Sequence, residues 1–335
     1  LTAAAVAELA ADLAGSAAEP DGQALRGVRL GVAREGFWGY SEKADVVIEE
    51  ALRVLSDLGA EIVDPADLPS TASFRGDSSE MAVLLYELKD DLNAYLASRT
   101  GLAVHSLAEL IAWNRAHAAA EMPFFGQELF ELAEARALPG VASAAAGQGS
   151  PAQSSPAQDP PADDSPARSS VAPGSLTDEV YREALARSRR LGGEQGIDAV
   201  LQRYRLDAIV APTGGPAWVT DMVNGDCVRG GSAGPAARAG YPIVTVPAGV
   251  VTVAGGVDSA AQGPISAPGG LASGTAGLTA GASGQMSRTA QYGLPVNISF
   301  IGTAWSEPRL IRIAYEFEQA TRARRAPRFL PSISA

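Results

Sequence analysis

Residues 28–33, "VRLGVA", form a short apolar run that predicts a buried strand. In the next segment, "ADVVIEEALRVLSDLG", Ile48, Ala51, Leu52 and Leu55 recur at helical spacing, and Gly59 suits the position just past a helix end. "AEIVDP" at 60–65 then predicts a second strand. Strand, helix and strand in this order read as a βαβ unit with parallel strands. The loop "REGFWGYSEK" leaves the first strand at its carboxyl end, where α/β proteins commonly place ligand sites.

The clearest helix is predicted at 80–98, with Met81, Leu84, Leu85, Leu88, Leu92, Tyr95 and Leu96 on one stripe. Asp77 and Glu80 before it have the spacing of a capping box. "SLAELIAWNRAHAAAEM" and "FFGQELFELAEA" predict two more helices. "DEVYREALARSRRLGGEQGIDAVLQRY" reads as helix before Gly192–Gly193, with its continuation beyond them left open. "LDAIVAPT" and "YPIVTVPAGVV" predict two buried strands, and "GLPVNISFIG" a strand with two different faces. The last helix lies in "SEPRLIRIAYEFEQATRARR": Ser306 is placed to cap it, Pro308 fits its first turn, and Pro327 closes the element. The pattern is α/β, a mixed β-sheet flanked by helices.

Two stretches break this pattern. Residues 139–175 are dominated by Pro, Ala, Ser and Gln, and residues 254–290 by Gly, Ala, Ser and Thr. Neither carries enough large apolar side chains to offset the entropy of ordering. The first is expected to be a disordered insert and the second a Gly/Ala/Ser-rich loop insert in one domain over 1–335.

The whole chain has 335 residues and a net charge of −12, without a Lys/Arg cluster outside its last segment. That balance argues against nucleic acid and anionic membranes as partners. The single cysteine, Cys227, makes no intrachain disulfide, so a cytoplasmic location is expected. "LTAAAVAELAADLAG" at the start has no basic lead-in and is interrupted by Glu8 and Asp12, unlike a secretory signal. The absence of an initiating methionine suggests a piece of a longer chain.

The ligand inventory for chemistry is thin. His105 and His117 would point about 120° apart on a continuous helix, so no metal site is expected. No cofactor is expected either: no phosphate-cradling glycine motif occurs, and neither does a G-x-S-x-G nucleophile turn. Ser232, in "GGSAGPAARAGYPIVTVPAG", sits among glycines without an evident activating base. Of the two lysines, Lys43 lies in a loop and Lys89 on a helix among Asp90 and Asp91. A Ser–Lys dyad with either has no supporting context.

Taken in order, "VRLGVAREGFWGY", "LLYELKDDLNAYLA", "SLAELIAWNRAH", "MPFFGQELFELA", "LDAIVAPTGGPAW", "DMVNGD", "AARAGYPIVTVPAG", "GLPVNISFIGTAWSEPRLIRIAYEFEQAT" and "RRAPRFLP" resemble successive blocks of the C-terminal half of an amidase signature family enzyme. The "YELKDDLNAYL" block resembles the branch close to peptide amidase. The resemblance implies hydrolysis of carboxamide bonds by a Ser–cis-Ser–Lys triad with a backbone oxyanion hole. The signature with two adjacent serines belongs to the family's N-terminal half and has no counterpart here. Ser78–Ser79, Ser154–Ser155 and Ser169–Ser170 do not carry over, so no catalytic residue is assigned.

The expectation is therefore a partial amidase-like chain, inactive alone, with a small-molecule amide as substrate once an N-terminal half completes it. Its oligomeric state is left open. The alternatives are a non-catalytic binding or scaffold protein on the same half-fold, or one half of a split enzyme. The loop at 212–226, "PTGGPAWVTDMVNGD", leaves a strand at its carboxyl end. Trp218, with Asp221 and Asn224 as polar neighbours, is the candidate substrate-binding set. The competing reading makes Trp218 a core plug and Asp221 a turn former.

Overall fold

The computed structural model describes residues 24–136, 178–218, 221–223, 225, 228, 230–254 and 291–326. The expected inserts therefore lie outside the described residues, apart from the backbone of Ala254.

Strand β1 (Arg29–Val32) leads into helix α1 (Glu42–Asp57) and strand β2 (Glu61–Val63). Ser41 starts the helix, its Oγ accepting the Ala44 N–H at 3.3 Å, and Gly59 adopts φ +93° just beyond its end. Helices α2 (Ser79–Ala97), α3 (Leu107–Ala116), a short α4 (Ala118–Glu121) and α5 (Glu128–Ala135) follow. Helix α6 (Glu179–Arg189) runs through a π-helical segment, Arg190–Ile197, into α7 (Asp198–Tyr204) and then β3 (Ala208–Pro212). Short helix α8 (Gly234–Ala239), strands β4 (Ile243–Ala254) and β5 (Gln291–Ile301), and helix α9 (Glu307–Thr321) complete the order.

The five strands make one mixed sheet in the order β2-β1-β3-β5-β4. β1 pairs parallel with β2 and β3, whereas β5 pairs antiparallel with β3 and β4. The strand–helix–strand pattern at the start thus gives the parallel unit expected, and the later strands supply the antiparallel part. One sheet face buries Leu30, Val210, Ile298 and Phe300 against Ile48 and Leu55 of α1 and Leu310, Ile313 and Phe317 of α9. The other buries Ile209, Ala211 and Ile301 against Ile197, Val200 and Leu201, with Ala236 of α8. A separate cluster of Leu85, Leu107, Ile111 and Ala133 holds α2, α3 and α5 together.

Several local expectations need correction. On α2, Leu84 and Tyr95 are each 53% exposed, while Ala82 and Tyr86 are buried. Tyr86 stacks on Tyr181 of α6 at 5.8 Å, so the covered face is rotated from the apolar stripe. The helix expected across 106–122 breaks at His117, whose N–H closes back on Trp113 and Asn114 carbonyls. Phe124 and Phe125 precede α5 and are exposed. Ser306 does not cap α9 with its side chain; its Oγ donates to the Thr303 carbonyl at 2.7 Å. That helix ends at Thr321, with Arg322 left-handed at φ +43°, before Pro327 is reached. Strand β4, read as buried, is half-exposed along Ile243–Val244 and Val246–Val250, because it is the sheet's outermost strand.

Candidate active-site edge

The parallel pairing of β1 and β3 brings two carboxyl ends to the same side of the sheet. The loops that leave there, 33–41 and 213–233, meet: Tyr40 lies so close to Gly230 that a Cβ at Gly230 would come within 2.6 Å of its ring. Gly230 has φ +142°, a conformation that side chains other than hydrogen rarely adopt.

The first loop is tied down by ionic contacts. Asp67 accepts the backbone N–H groups of Arg34 and Glu35, the latter at 2.7 Å. The Arg34 guanidinium pairs with Asp64 and Glu49 and lies over the Trp38 ring at 4.1 Å. Asp45, in the first turn of α1, accepts the Gly39 N–H at 3.1 Å. Burial raises the Asp45 carboxyl, against the pull of the Gly39 N–H. Burial, and then the charge of Asp45, push the Tyr40 phenol up to about 12, so it stays a neutral hydroxyl at physiological pH.

The second loop is anchored to β3. Thr213 receives the Ser232 N–H at 3.2 Å and Gly214 bridges Gly231. A row of hydroxyls then crosses the sheet on one face. Thr213 Oγ1 lies 2.7 Å from Ser299 Oγ, which lies 3.1 Å from Thr245 Oγ1 on β4.

Ser232 is fully buried, and its Oγ has no partner among the described residues. Among the described residues Trp38 Nε1, Tyr40 OH and Asp45 Oδ1 are likewise buried without a hydrogen-bond partner. Buried polar groups are normally paired, and four of the eight such unpaired side-chain atoms among the described residues fall on these two loops and the adjoining turn of α1. Lys89 donates to both the carbonyl and Oε1 of Glu134 at 2.7 Å. His117 stacks on Trp113 at 4.1 Å. Among the described residues no group of three or more His, Cys, Asp or Glu is placed to hold a metal ion.

Of the sequence-nominated set, Trp218 is 43% exposed at the end of the β3 exit. Asp221 is half-buried and its Oδ1 accepts the Val223 N–H at 2.8 Å, a local turn contact. Asn224 lies outside the described residues. Reasoning from sequence missed Tyr40, Asp45 and the Thr213–Ser299–Thr245 row. Tyr40 was visible only as one aromatic in a strand-exit loop, and the hydroxyl row depends on strand neighbours far apart in sequence.

This sheet, with its two strand-exit loops, matches a class of known enzymes, the amidases. No family model matches the chain. It is 27% identical over 309 residues to a probable amidase of Arabidopsis thaliana, covering 91% of this chain and 40% of that protein. Among solved structures it is 33% identical to peptide amidase in complex with the competitive inhibitor chymostatin, with a TM-score of 0.63 over 94% of this chain and 47% of that one. Native peptide amidase from Stenotrophomonas maltophilia gives the same identity and a TM-score of 0.62. The chain is thus similar to amidases, peptide amidase among them, and it spans about 40% of that Arabidopsis relative's length and about half that of peptide amidase.

Proposed function

We propose that this chain is the C-terminal part of a cytoplasmic amidase. The whole enzyme hydrolyses a carboxamide C–N bond of a small-molecule amide with water, giving a carboxylate and ammonia or an amine. This chain supplies one wall of the amide pocket, with Trp218, Asp221 and Asn224 at its edge, and is inactive alone. The observation that carries the reading is the 33% identity to peptide amidase sustained over 94% of the chain. The strand-exit loops of β1 and β3 support the position of the pocket edge, since α/β sites form there.

The test is an assay of the purified chain against amidated peptides and short aliphatic and aromatic amides, with release of ammonia or amine as readout. No turnover is expected from the chain alone. A chimera in which the uncovered part of peptide amidase precedes Leu1 is expected to gain it. Turnover by the chain alone that persists through purification and vanishes in Ser232→Ala overturns the claim of inactivity. A folded chimera without turnover overturns the assignment to amide hydrolysis.

A further inference from the structure

The loop from Gly302 to Ser306 joins β5 to α9. β5 runs antiparallel to β3, with Ile301 opposite Ile209, so this loop lies at the end of the sheet away from the Thr213 exit. It is pinned at several points. The Gly302 N–H donates to the Pro242 carbonyl at 3.3 Å, and Ser306 Oγ donates to the Thr303 carbonyl at 2.7 Å. Thr303 Oγ1 donates to Asp198, at the start of α7, also at 2.7 Å. In this fixed turn Trp305 adopts φ +65° and is 87% exposed. A bulky residue rarely takes that left-handed backbone, so the ring is held out by a pinned loop rather than left there by a loose one.

Beside the ring, the loop and the first turns of α9 enclose a groove of about 490 Å³, lined also by Pro308, Arg309 and Arg312. That volume is in the range of small-molecule sites. No carboxylate lines the groove, in a chain whose net charge is −12. Arg309 is already paired with Asp207 at 2.7 Å, whereas Arg312 is exposed and has no ion-pair partner among the described residues. The charge on offer is thus close to one unshared guanidinium, which matches a monoanion. Beyond Ser306 and Arg309 the groove adjoins a smaller cavity lined by Asp198 and Asp207, whose charges repel an anion. Arg312 therefore marks the end that takes the charge, and Trp305 the face that takes an apolar body.

We propose that this groove binds a small aromatic carboxylate, with its ring on Trp305 and its carboxylate on Arg312, at a site separate from the amide-pocket edge. The planar fork of a guanidinium matches the two oxygens of a carboxylate, and an indole face accepts a flat ring in offset stacking. A phosphate dianion exceeds the one free charge. Because the loop is already pinned, Trp305 needs little ordering when the ligand arrives. Binding there stands or falls independently of amide hydrolysis.

Isothermal titration of the full chain with benzoate tests it. Saturable binding with a Kd below about 1 mM is expected, and binding about tenfold weaker for acetate, which lacks the ring, and for benzyl alcohol, which lacks the charge. Arg312→Gln is expected to weaken benzoate about tenfold, and so is Trp305→Asn, since asparagine tolerates the left-handed backbone. Both positions are exposed, so both variants should melt within about 2 °C of the natural chain, which separates lost binding from lost fold. No saturation up to about 10 mM benzoate overturns the proposal. Equal affinity for acetate overturns it in favour of a bare anion site, and equal affinity for benzyl alcohol in favour of an apolar one. Unchanged benzoate affinity in Arg312→Gln or Trp305→Asn overturns it as well; loss in Trp218→Leu then places the ligand at the β3 exit loop. Benzoate binding that disappears as the chain self-associates, or in a folded chimera bearing the uncovered part of peptide amidase, also overturns it, because the groove is then a contact surface.

Discussion

Asp77 shows how one buried carboxylate can organise three helices. Its side chain is 3% exposed, accepts the N–H of Ser79 at the start of α2, and pairs with Arg187 of α6 and with Arg238 of α8 at 2.8 Å. Burial alone would raise its carboxyl, but the bonds from Ser79, Arg187 and Arg238 together hold it well below the usual carboxylate range. Removing Arg238, itself 8% exposed, should cost about 3 kcal/mol in urea unfolding, whereas Arg187→Ala, at a 52% exposed position, should cost under about 1 kcal/mol. Because the folded value is depressed, the contribution of the Asp77 charge is whole above about pH 4 and fades as pH falls toward the folded value. The stability gap between the natural chain and Asp77→Asn should therefore shrink from pH 6 to pH 3; a constant gap would show that shape, not charge, matters there. Sequence spacing suggested that Asp77 and Glu80 closed a capping box, but Glu80 turns instead to Arg238 at 3.1 Å. That arginine is more than 150 residues away, so no local pattern could reveal the exchange. Trp218 belongs to the same scale. In the completed chimera Trp218→Leu should change preference between aromatic and aliphatic amides, with a stability change near 0.5 kcal/mol or less, as expected for a half-exposed side chain. A large fall in melting temperature with unchanged preference would return Trp218 to the role of a core plug.

At the scale of elements, the π-helical segment Arg190–Ile197 is the place where sequence and packing part company. Gly192 and Gly193 argue for a break, because glycine weakens a helix by about 1 kcal/mol. The structure instead runs helical through both, since the glycines admit a close neighbour. A Cβ at Gly192 would meet the Pro235 carbonyl oxygen at 2.5 Å and the Ala239 nitrogen at 2.8 Å, both backbone atoms of α8 or its first turn. Gly192→Ala should therefore destabilise by about 1–3 kcal/mol despite its better helix propensity. Thermal unfolding of the variant checks this, and a neutral or stabilising result would mean that α8 moves aside freely. The strands and α1 were legible because a run of apolar residues and a capped 3.6-residue period are local signals. The α2 stripe was legible only in part. Tyr86 is buried by α6, roughly ninety residues on, while Leu84 and Tyr95 stay exposed. α8 went unread because six residues with Gly, Pro and Ala carry too short a period to register. At the site, the strand-exit position of 212–226 was legible from order alone, whereas Tyr40 against Gly230 required two loops to fold together.

For the whole molecule, the question is whether the chain holds as one body across its two compositional inserts. Residues 139–175 and 255–290 lack the apolar side chains needed for a core, so proteases should cut there first. The described parts on either side of the first are joined by long-range contacts. β1 pairs with β3, Tyr181 donates to Glu87 at 2.8 Å, and Arg187 reaches Asp77. Across the second, eleven β4–β5 residue pairs close the ladder. Limited trypsin or subtilisin digestion should therefore give three main fragments that co-elute as one particle in native buffer and separate only in denaturant. Early separation of the 178–254 fragment would show that sheet pairing does not survive loss of chain continuity. Replacing 255–290 by a four-residue turn should then raise stability, because closure entropy grows with the logarithm of loop length. Shortening about ninefold corresponds to roughly 2 kcal/mol. A chemical-denaturation midpoint that stays put or falls would mean that those residues contribute contacts of their own.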